Sequence, residues 1–437
     1  MYRELRQNQW KTYEELRQEQ EKQLRRIISF AYENVPYYRK LFNALRIIPG
    51  DIKGIKDLEG LPILTKEIIK QNRADFRPVN LKKIKYYESA TGGSTGTPFK
   101  YRLERFDKFL SAALLYRGWG YGGYELGDRT VLLANAALSP GVKSKLAVIT
   151  QEIARNIRKL SAFDMDDKGI KSYIKVMNSF KPKFIRGCAS SIYFFARWIA
   201  KNRPALHQPV AVFTTAEKLY PVMREMIKDA FKCNVYDTYG LNDGGVSAFE
   251  CPDYSGLHID TERSVMEVVD ENGEQLENGE GKILATSLYN YAMPFIRYDT
   301  GDLGRITINT CRCGRGYKLL QEVIGRNFDI LVTPEGKGIH GCFFTNTILE
   351  YCPGIKEYQV VQERLDRIVV KIFPEEDFKE NQLDKVKEVI RKRSKGWQVE
   401  FEFVDKIDRT SSGKYQFIIN KSREGNMYEA IERNNRE

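Results

Sequence analysis

Residues 183–201, Lys183-Phe184-Ile185-Arg186-Gly187-Cys188-Ala189-Ser190-Ser191-Ile192-Tyr193-Phe194-Phe195-Ala196-Arg197-Trp198-Ile199-Ala200-Lys201, hold a short β-rich run followed by a helical one. The run 183–186 reads as a strand and 189–201 as a helix. The same alternation surrounds them, with β-rich runs at Thr130–Leu133, Val210–Phe213 and Asn234–Thr238. Helical patterns fall near 104–119, 143–160, 167–180 and 220–231. Strands alternating with helices of this length predict an α/β core built on a largely parallel sheet. Upstream, residues 10–34 carry Trp10, Tyr13, Leu16, Leu24, Ile27, Ile28 and Ala31 at near-helical spacing, and Pro36 is read as their stop. Between about 256 and 332 the texture changes to short β-runs separated by turns such as Glu271-Asn272-Gly273, which predicts a β subdomain attached to the first layer. After Gly325-Arg326 the pattern resets to helix 341–351, strands 356–362 and 367–373, helix 381–395 and strand 398–404. The expected organisation is a large N-terminal domain, 1–325, and a small mobile α+β domain, 326–437.

The bulk numbers bound the class. A 437-residue chain with 42% hydrophobic and 29% charged residues is long and apolar enough for more than one packed domain. It has no apolar run near the roughly 18 residues that a membrane span needs, and the first residues lack the apolar core of a secretory signal. The reading is a cytoplasmic protein without a membrane span. Net charge is +12. Its basic residues are mostly interleaved with acids and form no nucleic-acid module, so they read as solvated helix faces rather than a nucleic-acid surface. Seven cysteines, an odd number, argue against a disulfide framework.

The chemistry begins at Thr91-Gly92-Gly93-Ser94-Thr95-Gly96-Thr97-Pro98. Glycines let successive amides turn toward one point, and hydroxyls add uncharged donors, a combination that holds a phosphate chain. It is not a Walker loop, because Gly96 is followed by Thr97-Pro98 rather than Lys-Ser/Thr. Four later segments accompany it. Tyr239-Gly240-Leu241-Asn242-Asp243 follows a predicted strand, where open α/β sheets bind ligands. Tyr298-Asp299-Thr300-Gly301-Asp302 places a carboxylate where a ribose diol could donate to it. Ile324-Gly325-Arg326 marks the expected boundary, and Arg409-Thr410-Ser411-Ser412-Gly413-Lys414 puts a lysine on a turn.

In this order these five segments resemble the adenylate-forming acyl-CoA synthetase superfamily, over nearly the whole chain. Within it the chain is most similar to the phenylacetate–CoA ligase and CapK branch, through Phe30-Ala31-Tyr32-Glu33-Asn34-Val35-Pro36-Tyr37-Tyr38-Arg39, Leu61-Pro62-Ile63-Leu64-Thr65-Lys66 and Tyr358-Gln359-Val360-Val361-Gln362. The resemblance implies a two-step ligase. A small organic carboxylate, aromatic acids included, attacks the α-phosphorus of ATP, and coenzyme A then takes the acyl group. It implies that Thr91, Gly92, Gly93, Ser94, Thr95 and Gly96 hold the phosphates, that Tyr239, Gly240 and Glu217 flank the adenine, and that Asp302 binds the ribose with Arg326 beside it. Lys414 is the implied adenylation lysine and Asp243 the implied Mg²⁺ ligand. Asp243 stands where the family usually has Glu, Thr97 where it commonly has Lys, and Phe328 where it often has a charged hinge residue, with Asp329 as the alternative hinge. The resemblance leaves open a homodimer and three other outcomes: a CapK-like enzyme of polysaccharide biosynthesis with a non-CoA acceptor, transfer of AMP to a cofactor, and a catalytically silent nucleotide-binding scaffold.

A second constellation is independent of ATP. Cys251 and His258 have six residues between them, and Cys311-Arg312-Cys313-Gly314 follows 53 residues after His258. Three thiolates and an imidazole suit a closed tetrahedral zinc site of structural type, against the alternative of reduced cysteines that merely pack. Similar Cys/His positions are implied by the resemblance in parts of the branch.

Overall fold

In the computed structural model, the structure describes residues 1–90, 99–134, 145–162, 165, 167–326, 330–352, 354–376, 378–409 and 415–422. Its centre is a five-stranded, all-parallel sheet in the order Ile157–Ser161, Thr130–Ala134, Phe184–Cys188, Ala211–Thr215, Asn234–Tyr236. Such a sheet is stable only with both faces covered. One face carries Val131, Leu133, Ile185, Val212 and Val235 into a core with the helices Asp167–Phe180, Ala189–Asn202 and Pro221–Phe231. The other places Phe184, Phe213 and Tyr236 against Trp119 and Tyr124 at the end of the helix Arg105–Tyr121.

Beyond that helix lies a seven-stranded antiparallel sheet. Its order is Ser264–Val269, Gly279–Ser287, Tyr298–Thr307, Leu319–Arg326, Leu257–Ile259, Ser247–Glu250, Thr238–Gly240. Buried ion pairs tie the helix to this sheet. Arg263 forks onto Asp107 at 3.0 and 2.8 Å, and Arg117 pairs with Asp260 and, at 2.5 Å, with Glu262. The C-terminal unit is a four-stranded mixed sheet in the order Gln398–Phe403, Arg367–Pro374, Ile355–Arg364, Ile418–Asn420, with helices Gly341–Tyr351 and Gln382–Arg391. Its apolar face continues the core of the parallel-sheet helices, where Phe417 meets Tyr220 and Tyr415 meets Phe194. Arg197 and Lys201 add ion pairs to Glu375 at 2.7 Å each.

Four local expectations are corrected. The first long helix is Tyr13–Asn34, capped by the Thr12–Glu15 capping box, and Trp10 lies outside it, 57% exposed. Pro36 does not merely end that helix but occupies the first turn of the next, Pro36–Leu45, where its missing N–H is harmless. The pattern at 143–160 divides into a helix, Lys145–Arg155, and the edge strand Ile157–Ser161. Asn156 adopts a left-handed φ of 53° between them. The run at 234–238 also divides. Asn234–Tyr236 belongs to the parallel sheet and Thr238–Gly240 to the antiparallel one, with the chain crossing between sheets at Asp237.

A Cβ at Gly118 would lie 2.2 Å from the Phe249 ring, so the helix Arg105–Tyr121 touches the antiparallel sheet through bare backbone. Gly118→Ala is expected to destabilise the protein by roughly 2–3 kcal/mol through overpacking. Chemical denaturation checks it, and an unchanged midpoint contradicts the packing described.

Candidate active site

The crossing at Asp237 builds the site. Thr214 Oγ1 donates to Asp237 Oδ1 at 2.6 Å, and the Thr238 amide donates to the same oxygen at 3.0 Å. The Asp237 amide donates to Glu250 Oε2 at 2.8 Å, and Glu250 is itself held by an Arg224 fork at 2.9 and 3.0 Å. The bend is therefore clamped on both sides, and the residues after it are delivered to a fixed place.

Tyr239, the second of these residues, donates its hydroxyl to Asp302 Oδ2 at 2.9 Å. Tyr298 donates to Asp243 Oδ2 at 2.8 Å. Burial first, and then the adjoining carboxylate, holds each phenol well above its ordinary value, so both remain donors. The other oxygen of Asp243 has no donor among the described residues, leaving it able to accept from a metal-bound water. Asp302 follows Gly301, whose φ of 78° allows the turn, and its amide donates to Thr300 Oγ1 at 3.1 Å. Across the ladder Asp302 is the register partner of Arg326. Asn242 is approached by Ser111 at 3.4 Å and by Arg263 at 3.5 Å, which links the turn to the buried Arg263–Asp107 pair.

Glu217 lies one residue beyond Ala216, a non-glycine with φ of 66° at the end of the strand Ala211–Thr215. Such left-handed strain collects at functional sites. The carboxylate joins two parts of the molecule. Oε2 accepts from the Ser190 amide at the start of the helix Ala189–Asn202 at 3.0 Å, and Oε1 accepts from the Tyr415 amide at 3.2 Å. Tyr415 is next in sequence to Lys414. Its ring is covered by the Arg409 guanidinium, 4.1 Å from the centroid, and Arg409 also pairs with Glu357 at 2.5 Å. Lys218 reaches Glu322 at 2.8 Å and the Ile324 carbonyl at 2.9 Å, fixing the strand that leads to the expected boundary.

The structure thus brings Tyr239, Gly240, Asp243 and Asp302 into one group and connects Glu217 to residue 415. Thr91, Gly92, Gly93, Ser94, Thr95, Gly96, Phe328, Asp329, Lys414 and the Arg326 side chain lie outside the described residues. The strands Tyr86–Ala90 and Lys100–Glu104 on either side of 91–98 pair with each other, with Ala90 opposite Lys100. Asp237, Glu250, Tyr298 and Lys218 went unread in the sequence. Tyr298 opens the segment that ends at Asp302 but was given no role there, and the other three carry no motif and act only through positions brought close by the fold.

Cys251, His258, Cys311 and Cys313 converge at one end of the antiparallel sheet, their ligand atoms all within 4.8 Å of one another. The Cys251 and Cys311 sulfurs are 3.6 Å apart, and Cys313 Sγ is 3.4 Å from His258 Nε2. A tetrahedral zinc with bonds of about 2.3 Å to sulfur has S···S edges of about 3.8 Å, so the set fits. Burial, then Arg315 and Arg117, push His258 down to about 4 and keep its ring neutral, as a ligand must be. Burial alone would raise Cys313, but the Arg315 backbone and side chain both donate to its sulfur and hold the thiol below its ordinary value.

Against known proteins, residues 331–421 match the model of the CapK C-terminal domain. The chain is 30% identical over 373 residues to protein CapK of Staphylococcus aureus, covering 84% of this chain and 81% of that protein. It is 26% identical over 398 residues to phenylacetate-coenzyme A ligase of Thermus thermophilus, covering 84% and 83%. Among solved structures, 2-hydroxyisobutyryl-CoA ligase in the postadenylation state, in complex with R3-HIB-AMP, superposes with a TM-score of 0.75 at 19% identity, covering 98% of this chain and 93% of that one. The overall fold is shared.

Glu217→Gln keeps the size of the side chain but offers one accepting oxygen where the carboxylate offers two, so an NH2 faces one of the two amides. A hydrogen bond to a neutral acceptor is worth about 1 kcal/mol less than one to a carboxylate, and an amide left without an acceptor loses more. Amide hydrogen exchange at Ser190 and Tyr415 is expected to accelerate about fivefold at the amide that keeps an acceptor and further at the other. Unchanged protection at both amides contradicts the bridge.

Proposed function

The chain belongs to the CapK and phenylacetate–CoA ligase branch of the adenylate-forming acyl-CoA synthetase superfamily, and from that premise we propose that it is an ATP-dependent, AMP-forming acid–thiol ligase. A carboxylate oxygen attacks the α-phosphorus of ATP, the bond to pyrophosphate breaks, and acyl-AMP forms. The thiol of CoA then attacks the acyl carbon, its proton passes to solvent, and AMP leaves. The observation that carries the reading is the Glu217 bridge. The residue next to Lys414 is held on the same carboxylate that caps the helix beside the strand ends, where ligands of open α/β sheets bind.

In this reading 1–325 is the adenylating domain and 326–437 the lysine-bearing one. The backbone and hydroxyls of 91–96 cradle the β- and γ-phosphates. Tyr239 packs beside the adenine, and Asp302 accepts from the ribose hydroxyls while the Tyr239 hydroxyl fixes its orientation. Arg326, its register partner, stands beside it. Lys414 neutralises the charge shared by the carboxylate and the α-phosphate, so the step is driven by positioning and electrostatics without a protein nucleophile. Asp243, oriented by Tyr298, would hold Mg²⁺ through water, and Mg²⁺ when bound offsets phosphate charge. Cys251, His258, Cys311 and Cys313 would hold a structural zinc ion, which when bound would pin the loop after Thr307 to the strand Leu257–Ile259. The protein acts in the cytoplasm.

A second reading retains adenylation and changes the acceptor to one other than CoA. The match of 331–421 to the CapK C-terminal domain favours it. Hydroxylamine traps the acyl group in both readings, and only the first forms a CoA thioester.

Carboxylate-dependent pyrophosphate–ATP exchange tests the proposal, and absence of exchange with every member of a broad acid panel rules it out. Lys414→Ala should lower exchange at least about 100-fold while thioester formation from supplied acyl-AMP stays within a few-fold. Equal loss of both steps contradicts the assigned role. Purified protein should carry about one zinc per chain. Cys313→Ser should lower both metal content and thermal stability, and well-folded, metal-free wild type contradicts the zinc assignment.

A further inference from the structure

Arg186 stands in the middle of the central strand of the parallel sheet. Side chains alternate along a strand. Ile185 enters the core beneath the flanking helices, whereas Phe184 faces the helix Arg105–Tyr121. Arg186 shares the face of Phe184, with Leu132 and Phe213 as its register partners on either side. Its guanidinium lies over the Trp119 ring, 4.9 Å from the centroid, and Trp119 in turn stacks on Phe213 at 5.6 Å. A cation is thus laid on an aromatic floor inside the molecule.

The arginines that are fully buried are neutralised. Arg117 pairs with Asp260 and Glu262, Arg263 with Asp107, and Arg297 with Glu267. Among the described residues no carboxylate pairs with Arg186. The ionisable groups that act on it are Cys188 and Tyr116, and burial pushes it down to about 10, whereas Arg117, beside its carboxylates, is raised. A guanidinium partly withdrawn from water without an anion is unfavourable, and such a departure from the pattern of a fold marks a site.

The site is also open. Phe184 and Phe213 are buried, yet Arg186 between them is only half-buried, as are Leu115 and Tyr116 on the covering helix. Water therefore reaches the central strand between helix and sheet. Arg186 precedes the strand end at Cys188 by two residues, about 7 Å at 3.3 Å per residue. The neighbouring strand ends at Thr215 and continues into Ala216 and Glu217. The cation lies just inside the sheet edge that carries the adenylating residues.

We propose that Arg186 is the specificity residue of the acyl pocket and that the acid this protein activates is a dicarboxylate, one carboxylate being adenylated and the other held by the Arg186 guanidinium. The inference rests on the ligase reading above. Trp119 takes one face of the guanidinium and leaves its N–H edge for a charge-assisted, bidentate pair. A monocarboxylic acid of the same length would leave that edge buried and unpaired, which is how a polar site rejects an analogue lacking the partner group.

The test is carboxylate-dependent pyrophosphate–ATP exchange with aliphatic and aromatic dicarboxylic acids, each run beside its half-amide and the matching monocarboxylic acid. Wild type should favour a dicarboxylate by at least about 30-fold in kcat/KM. Arg186→Met should abolish that preference, mostly through KM, while exchange with monocarboxylic acids stays level or rises. Arg186→Lys, which keeps a point charge without the planar fork, should retain part of the preference. Exchange that proceeds with monocarboxylic acids and does not favour dicarboxylates overturns this inference and leaves the ligase reading intact. No exchange with any acid overturns the ligase reading and this inference with it. A dicarboxylate preference that survives in Arg186→Met also overturns the assignment. Should neither variant fold, as judged by thermal melts, the wild-type panel alone decides.

Discussion

The bend at Asp237 is the constraint on which the site depends. One continuous run of chain serves two sheets of different kind, and the change happens within a single residue whose carboxylate and amide are both bound. Because Glu250 buttresses the bend from the antiparallel side, and Thr214 and Arg224 from the parallel side, the two sheets cannot shift independently at this point. Tyr239 and Asp243 inherit their positions from that clamp. Asp302 and Tyr298 come from a neighbouring strand pair and meet them with hydroxyl–carboxylate bonds. Four side chains from two segments thus share one geometry without a cation among them, consistent with a site that receives its positive charge from elsewhere.

The second organising element is the continuity between the C-terminal unit and the helices on the parallel sheet. Phe417, Tyr415 and Tyr358 share a core with Tyr220 and Tyr193, so the surface joining the two parts is largely apolar. Its specific polar features are few. Among the described residues they include the Glu375 ion pairs, the bonds from Arg197 to the Ile355 and Lys356 carbonyls, and the Tyr415 amide on Glu217. An apolar contact fixes no rotation about itself, whereas a carboxylate shared between a helix start and a backbone amide does. This is why Glu217, rather than the larger buried area, reports the register of the two parts.

The fold was legible where period and punctuation were strong. The helix 167–180 and the strands around 130, 184 and 211 follow from alternating apolar runs. What escaped was set by contacts distant in sequence. The edge strand Ile157–Ser161 has no apolar alternation of its own and exists because Thr130–Ala134 offers it a partner. The division of 234–240 between sheets depends on Glu250 and Thr214, which no local pattern reveals. Within the site, Tyr239, Asp243 and Asp302 stand in recognisable segments, and the Cys/His set was found by counting ligand types. Tyr298, Lys218 and Arg186 were not, because a tyrosine beside a carboxylate, or an arginine denied one, becomes visible only when burial and partners are known.

The proposed reaction breaks a bond at the α-phosphorus of ATP, with the carboxylate as nucleophile. A turnover substrate labelled with ¹⁸O in its carboxylate, with the nucleotide product analysed by mass spectrometry, distinguishes this from attack elsewhere. The expected product is AMP carrying one oxygen from the acid in its phosphate. ADP as the product, or AMP free of the label, would contradict it.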